Sequence, residues 1–566
     1  MIKLIHARNQ PFHALVSHFV RRLFASEEEQ GTGSMGLGLG AVLAIMASPG
    51  AFASIFLLDK YSTLLEWLRG QRIDYLRRTP TDEYFFIVLS MTITGLVMLT
   101  RWNRLFPDRR DFANLAILPL PVRNIFLANF GALLGLAVLF GVVVNGVSAL
   151  LFPFFVGVSL NKFSAMLHIG IANAVSVFSA SLFSFFAVFG LVGVLTLLLP
   201  RPLFRPVSLF MRIVLVVGLL SEFFANILVR LFTAPAPGAA GASMQWLPSF
   251  WFLGIYESLL GIAKPQMIAL GERAWLALAA VIVVSVLAYA LCYRRIFVRL
   301  PESFDMLTSS RSFFRIRLPE ALLRPLFRSP FERACSSFAC KVLVRSEPHM
   351  MFFGAYLGIG LVLVAQNVLD SAVNLTSWLA TPLLIAFFIA SGLRLVFDTP
   401  AAREANWIFR IATGSPLPCP RQIAQRFILW ATLPWQILVL LPLVARSRGL
   451  RFALLHVAFV VAFTILFTDL LLVRFHKVPF TCLTQMEIRQ LLNKMLLAAF
   501  GVLIAVPALA VLEAWLLAAP HRFLLFFPML SLLWYALARY RHSLPNSNVL
   551  LFEDAPAPPF ELLKLT

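Results

Sequence analysis

Long apolar runs recur along the whole chain and constrain its fold more than any other feature. Hydrophobic residues make up 60% of the 566 residues and charged residues only 13%, and the mean hydropathy is +0.83. A helix of roughly 20 apolar residues crosses the hydrocarbon core of a bilayer, and lipid cannot satisfy backbone polar groups, so such runs must be helical. The pattern predicts an all-α polytopic membrane protein with about twelve transmembrane helices, at residues 35–58, 84–100, 125–152, 165–199, 207–229, 274–292, 349–366, 378–397, 427–445, 452–473, 495–518 and 523–538.

The order of segments predicts two six-span halves. The first half, 1–292, opens with an apolar stripe at helical spacing from Phe12 to Leu23, which is typical of an interface helix lying on the membrane. A basic cytoplasmic linker, 293–329, leads to the second half, 330–540, which opens with a similar amphipathic stretch. Residues 541–566 are predicted to form a cytoplasmic tail. A tandem repeat is the simplest explanation, and convergence of two halves under the same membrane constraints is the alternative.

The net charge of +21 follows the predicted topology rather than a nucleic-acid-binding surface. Lys and Arg concentrate in segments that alternate with loops poor in basic residues, as the positive-inside rule requires. The loop 367–377 contains neither Lys nor Arg and is predicted to face outward, which places both termini in the cytoplasm. The loop 59–83 is an exception, because it carries several basic residues on the predicted outer side. We expect membrane lipids, and no nucleic acid, among the partners.

A charged, proline-bounded segment at 105–121 interrupts the apolar runs after the second span, and 398–418 repeats its pattern in the second half. Ala-Asn and Pro-Leu-Pro occur in both copies. In the first copy, Asp111 can cap a short helix whose apolar face begins at Phe112. Such a face would enter a groove on a cytoplasmic partner, with charged residues orienting the docking at its rim. The alternative is an inner-leaflet helix whose arginines contact lipid phosphates. The candidate coupling residues are Asp108, Arg109, Arg110, Asp111, Phe112, Arg403, Glu404 and Asn406.

Between the fifth and sixth spans, Trp246 to Gly254 is too apolar for a free loop and continues to Gly261. We interpret it as a re-entrant element in the outer leaflet, and an interfacial aromatic belt is the alternative. With the interface helix, six spans and the segment at 105–121, the first half resembles the permease subunit of type-2 ABC exporters. The resemblance implies a bacterial cytoplasmic membrane protein whose coupling segments dock a separate P-loop ATPase, as a dimer. The second half has no re-entrant equivalent.

Several motifs are missing from the sequence. It contains no P-loop, so an exporter permease of this kind needs a separate ATPase. It has neither a His-Glu-x-x-His helix nor a Gly-x-Ser-x-Gly elbow, so we expect no enzymatic activity and no cofactor. Cys335 and Cys340 are five residues apart, which favours a packed helix face over a metal site.

Ionisable residues within the predicted spans are few, and the candidates for intramembrane polar sites are Glu222, Asp469 and Glu513. Asp469 lies close to Arg474, which favours a structural pair, and Glu513 lies near the outer end, where its carboxylate can snorkel. This scarcity favours transport driven from outside the membrane. The rival functions are a secondary transporter or flippase that couples ions through Asp469 or Glu513 and, less favoured, a membrane enzyme acting on lipid-linked substrates. The sequence does not identify the cargo.

Overall fold

A computed structural model describes most of the predicted spans. The described residues are 12–20, 48–52, 54–55, 75–102, 105, 121–160, 163–232, 246–299, 330–370, 374–401, 420–473, 475, 477–481 and 501–543. Every regular element in these ranges is helical, and ten of the helices are long and apolar enough to cross a membrane. The expectation of an all-α polytopic membrane protein is therefore confirmed. The predicted spans 35–58 and 495–518 are only partly described.

The chain divides into two compact units, Met1–Phe313 and Phe314–Thr566. The division falls inside the predicted basic linker. The described helices of unit 1 from residue 75 onward are α1 (Tyr75–Thr100), α2 (Val122–Leu160), α3 (Phe163–Leu198), α4 (Arg201–Phe232), the short α5 (Pro248–Leu260) and α6 (Pro265–Arg299).

Helix α3 is the centre of unit 1 and packs against α1, α2, α5 and α6. Small residues along it allow close approach, as is usual between membrane helices. Two hydroxyl contacts link α1 to α3: Ser90 donates to the Val177 carbonyl oxygen at 3.2 Å, and the Thr94 and Ser181 hydroxyl oxygens lie 2.8 Å apart. The second contact lies four residues after the first on both helices, so α1 and α3 are parallel.

The apolar segment before the last span of unit 1 forms the short helix α5. It starts with Pro248 in its first turn and ends at Gly261, whose φ of 70° is the left-handed conformation of a glycine helix cap. At 13 residues it is about 20 Å long, too short to cross a bilayer. All five residues from Phe252 to Tyr256 are buried inside unit 1, whereas the preceding Trp246 is exposed. The aromatic and apolar residues of α5 thus pack inside the unit, and its re-entrant position in the outer leaflet stays a prediction.

Unit 2 is built around α9 and α12. Its described helices are α7 (Pro330–Arg345), α8 (Glu347–Asp370), α9 (Leu375–Val396), α10 (Pro420–Trp435), α11 (Leu441–Arg448), α12 (Leu450–Leu471), α13 (Val506–Leu517) and α14 (Phe523–Ser543). A π-helix, Gln436–Leu440, joins α10 to α11, and another, Gly501–Ala505, precedes α13. Buried apolar side chains of α9, α12, α13 and α14 form one core cluster.

The predicted amphipathic stripe of the first unit is confirmed over its described residues, and that of the second unit in part, since Cys335, Ala339 and Val342 are buried whereas Ala334 is exposed. In the helical residues 12–20, Leu15 and Phe19 are buried while His13 and His18 are exposed. Helix α7 packs against α8 and α10 and buries Cys335 in a cluster with Ile423 and Val478. That these helices lie on the inner leaflet stays a prediction.

The environment of the two α7 cysteines favours the packed helix face over a metal site. Burial, with a smaller contribution from Glu332, raises the pKa of the Cys335 thiol to about 12. Burial also raises the pKa of Cys340. Both thiols are therefore protonated at neutral pH as the chain stands, as packed cysteines are, and the absence of a metal site stays a prediction.

Candidate functional site

The second charged segment begins at Asp398, directly after α9, and this carboxylate is almost fully buried. Arg394 Nη1 lies 2.6 Å from Asp398 Oδ2, and Lys477 Nζ lies 2.9 Å from Oδ1. Burial by itself raises the pKa of Asp398, but the charges of Arg394 and Lys477 outweigh burial and lower the pKa to about 2. The start of the segment is thus tied to α9 and to the chain that follows α12.

Backbone contacts strengthen the same attachment. Ala401 N–H donates to the Phe480 carbonyl oxygen at 3.0 Å, and Phe480 N–H donates to that of Phe397 at 3.3 Å. His349 Nε2 on α8 lies 3.1 Å from the Thr399 carbonyl oxygen. Phe480 has a φ of 66°, a conformation that non-glycine residues adopt only when their surroundings hold them in it. The first residues of the segment therefore form a fixed junction between α8, α9 and residues 477–481.

The Asp398 ion pairs predict a stability change that depends on acid. A carboxylate with a depressed pKa stabilises the fold above its unfolded pKa of about 3.8, and that stabilisation disappears as the pH falls to about 2. The shift corresponds to about 2 to 3 kcal/mol. We expect Asp398→Asn to lower the free energy of unfolding by about this amount at pH 7 and to match the wild type near pH 2. Thermal unfolding of purified protein across pH 2 to 7 measures both. Glu272→Gln, at an exposed position of α6, is the control that should follow the wild type.

The approach to the first charged segment has an analogous attachment in unit 1. Trp102 and Leu105 are buried. Asn129 Nδ2 on α2 donates to the Leu105 carbonyl oxygen at 3.4 Å and lies 3.0 Å from the Tyr289 hydroxyl on α6. Arg212 on α4 donates through Nη2 to the α1 carbonyl oxygen of Leu99 at 3.2 Å. Residues that lead into this segment therefore contact α2 and α4, and Asn129 links the α2 contact to α6.

The predicted coupling residues themselves lie outside the described residues. This applies to Asp108, Arg109, Arg110, Asp111 and Phe112 in the first copy, and to Arg403, Glu404 and Asn406 in the second. The structure describes the approaches to both segments, and the roles of these side chains stay predictions.

Glu222 belongs to a polar contact that joins three helices of unit 1. The Ser249 hydroxyl, at the start of α5, donates to Glu222 Oε1 on α4 and lies 3.2 Å from the Tyr84 hydroxyl on α1. The Tyr84 ring stacks on Phe250 with a centroid distance of 4.3 Å. Glu222 therefore helps to hold the short helix α5 in place.

Asp469 is the acceptor at the centre of a buried cluster in unit 2. Arg421 Nη2 and Gln425 Nε2, both on α10, lie 2.5 Å and 2.9 Å from its Oδ1 atom. Trp534 Nε1 on α14 donates to Oδ2 at 2.5 Å. The carboxylate therefore joins α12 to α10 and α14. Arg474, the partner expected from sequence proximity, lies outside the described residues.

The expectation that Glu513 snorkels to the membrane surface is wrong. Its side chain is 0% exposed, and Oε1 lies 2.5 Å from Nδ1 of His456, which is also 0% exposed. Helix α13 turns this carboxyl inward against α12, where an imidazole rather than water is its partner.

Glu83 and His456 are two of the buried titratable residues that the sequence candidates do not include. Glu83 lies at the edge of the predicted loop 59–83, but helix α1 already begins at Tyr75. The Glu83 carboxyl is fully buried and has no hydrogen-bond partner among the described residues. His456 was not singled out at all. A periodic signal was present in each case: Glu83, Ser90 and Thr94 share one face of α1, and on α12 a polar face links His456 to Thr464.

Comparisons of the chain with protein-family models, with curated proteins and with solved structures find no match. The structure thus defines a class, a multi-pass helical membrane protein, and function has to be argued from its own contacts.

Proposed function

We propose that this chain is the permease of an ABC-type export system in a bacterial cytoplasmic membrane, energised by a separate P-loop ATPase. The observation that carries the proposal is the attachment of both charged segments. Trp102 and Leu105 in unit 1, and Phe397 and Asp398 in unit 2, are buried where the chain enters the segment. A partner that moves either segment therefore pulls on several packed helices rather than on a free loop.

The helix α5 supports the same proposal. It is short, buried and placed between α4 and the last span of unit 1, as the resemblance to type-2 exporter permeases implies. Each unit carries one charged segment, so one chain offers two docking surfaces and suits an ATPase dimer. The sequence has no nucleotide-binding loop of its own.

Copurification tests the proposal. Wild-type chain purified in mild detergent should retain a protein with a P-loop motif and ATP hydrolysis activity. Reversing two charges of the segment, Asp108→Lys at the rim and Asp111→Lys at the helix cap, should reduce the retained ATPase at least about tenfold, because the docking charge is reversed and the short helix loses its cap. The exposed-site variant Glu272→Lys is the matched control and should retain the wild-type amount. Retention of the ATPase by the double variant, or absence of any P-loop protein from the wild-type preparation, contradicts the proposal.

One observation favours a second candidate, an ion-coupled secondary transporter. The sequence predicts few ionisable residues within the spans, but the acidic residues Glu83, Asp469 and Glu513 are all buried in the described helices. Buried acids of this kind mark ion paths in transporters. Under this candidate no ATPase copurifies, so the same preparation separates the two functions.

A further inference from the structure

The imidazole of His456 and the carboxyl of Glu513 form a pair sealed inside unit 2. His456 lies on α12 and Glu513 on α13, and the contact between Nδ1 and Oε1 is 2.5 Å. Both side chains are 0% exposed. The pair joins two different helices of the bundle.

The surroundings of the pair are aromatic and almost free of other charge. The Trp378 ring on α9 lies 5.1 Å from the imidazole, between centroids, and Phe452 lies 6.3 Å away on α12 itself. The charged group facing the pair from α11 is Arg448, whose guanidinium lies over the Trp378 ring at 5.0 Å and over the Phe452 ring at 5.6 Å. Arg448 and the imidazole thus share the same two aromatic neighbours, Trp378 and Phe452.

The π-helix before α11 contributes the uncharged Gln436, whose Nε2 donates to Thr464 Oγ1 about two turns farther along α12. Beyond α13, the Arg522 guanidinium stacks 4.0 Å from the Trp515 ring centroid, and Trp515 is an exposed side chain. That charge therefore faces away from the pair.

The second polar atom of each partner, Nε2 of His456 and Oε2 of Glu513, has no hydrogen-bond partner among the described residues. No network therefore shares the charge of the pair. With one proton between them, the two groups have no net charge, either as imidazolium and carboxylate or as imidazole and carboxylic acid. Without that proton the site carries one uncompensated negative charge, which is strongly unfavourable in a buried, low-dielectric environment.

The helix that carries Glu513 has an irregular start. The π-helix Gly501–Ala505 leads directly into α13, and such segments are rare and often occur at functional sites. At Gly501 a Cβ atom would lie 2.6 Å from the Phe387 ring, so the chain passes very close to α9. The second π-helix, Gln436–Leu440, precedes α12 in the sequence, whereas the first one follows it. Both segments offer backbone that can change its hydrogen bonding when α12 and α13 separate.

We propose that His456 and Glu513 form a proton-binding site that holds α12 against α13 while the proton is bound. Loss of the proton is accompanied by separation of the two helices and entry of water, which solvates the remaining charge. The site binds a proton rather than a metal ion, because the pair supplies only two ligand atoms and no third His, Cys, Asp or Glu joins it in the described part of the chain. The proposal is independent of what energises transport.

Proton linkage gives the test. Above a pH of about 6.5 an exposed imidazole is neutral, so the unfolded chain holds one proton fewer than the closed pair. The unfolding equilibrium constant of the wild type should then rise up to about tenfold per pH unit because of this site. We expect thermal unfolding of the full chain in detergent, from pH 6 to pH 9, to show a falling midpoint in the wild type. The decline should be shallower in Glu513→Gln, which keeps the size of the side chain but removes its charge.

The double variant H456L/E513L provides a second, independent measurement if the glutamine variant does not fold. Replacing a buried ion pair with apolar residues of similar volume is often neutral or stabilising, so this variant should fold and lose the same part of the pH dependence. The control Glu272→Gln should keep the wild-type profile. Profiles of E513Q or H456L/E513L that run parallel to the wild type overturn the proposal.

Discussion

Replacing Gly254 with alanine should destabilise unit 1 more than any other single methyl group added to it. A Cβ atom at this position would lie 2.4 Å from the Met267 carbonyl oxygen and 2.6 Å from the Gly271 amide nitrogen. Both atoms belong to the backbone of α6, so no side-chain rotation can relieve the clash. Helices α5 and α6 must move apart, which breaks the tight packing that the two glycines permit. We expect a loss of about 3 kcal/mol, the upper end of the usual range for overpacking.

A thiol-reactivity measurement can assign this loss to unit 1. Cys292 is buried in unit 1, with its Sγ atom 3.3 Å from the Gly193 carbonyl oxygen, whereas the buried Cys335 belongs to unit 2. On heating, Gly254→Ala should expose Cys292 to a thiol reagent at a lower temperature than in the wild type, as read by mass spectrometry of each cysteine. The temperature for Cys335 should change much less.

The matched control is Gly135→Ala in α2, where an added Cβ meets nothing within 4 Å. Alanine is a better helix former than glycine, so this variant should be neutral or slightly stabilised. If the two variants unfold alike, α5 does not pack on α6 in the way described.

The sequence predicted the spans and the short helix well, because both leave a local signal. An apolar run identifies a span whatever its neighbours are, and the dense aromatic stretch after Trp246 marked α5 before its packing was visible. The amphipathic face of residues 12–20 was equally local, since burial of Leu15 and Phe19 follows from their helical spacing.

Contacts between helices were beyond the reach of such patterns. Asp469 was matched with Arg474 because the two are neighbours in sequence, whereas its described partner Arg421 lies 48 positions away on another helix. The sequence predicts a surface position for Glu513 because the residue lies near the end of a span. Position along the chain, however, does not show which face of α13 turns inward. A single sequence reveals that a charge lies in a span, but its partner depends on how the bundle packs.

Glu83 was missed for a different reason. Asp82 and Glu83 lower the local hydropathy, so the predicted span began after them, while the helix of the structure begins at Tyr75. The face shared by Glu83, Ser90 and Thr94 is the pattern that would have extended the span, and all three side chains are buried.

Neutralising Asp469 should be the most damaging polar change in unit 2. In Asp469→Asn the guanidinium of Arg421, whose side chain is 8% exposed, loses the negative charge of its partner 2.5 Å away. Breaking such a pair typically costs about 3 to 5 kcal/mol. Gln425 and Trp534 keep an acceptor of reduced strength, so the contacts to α10 and α14 both weaken. We expect a lower thermal midpoint and, on heating, earlier labelling of Cys335 than in the wild type, with Cys292 much less affected.

Two variants separate the ion pair from a general loss of packing. Arg541 Nη1 lies 3.9 Å from Asp469 Oδ1 and its side chain is 23% exposed, so Arg541→Ala should cost about 1 kcal/mol or less. The double replacement R421M/D469L removes both charges together and should recover much of the stability lost in D469N, because neither member of this ion pair is then left without the other. A double variant as unstable as D469N would show instead that the remaining donors, Gln425 and Trp534, depend on the carboxylate itself. An Arg541→Ala variant as unstable as D469N would contradict the assignment of the main energy to Arg421.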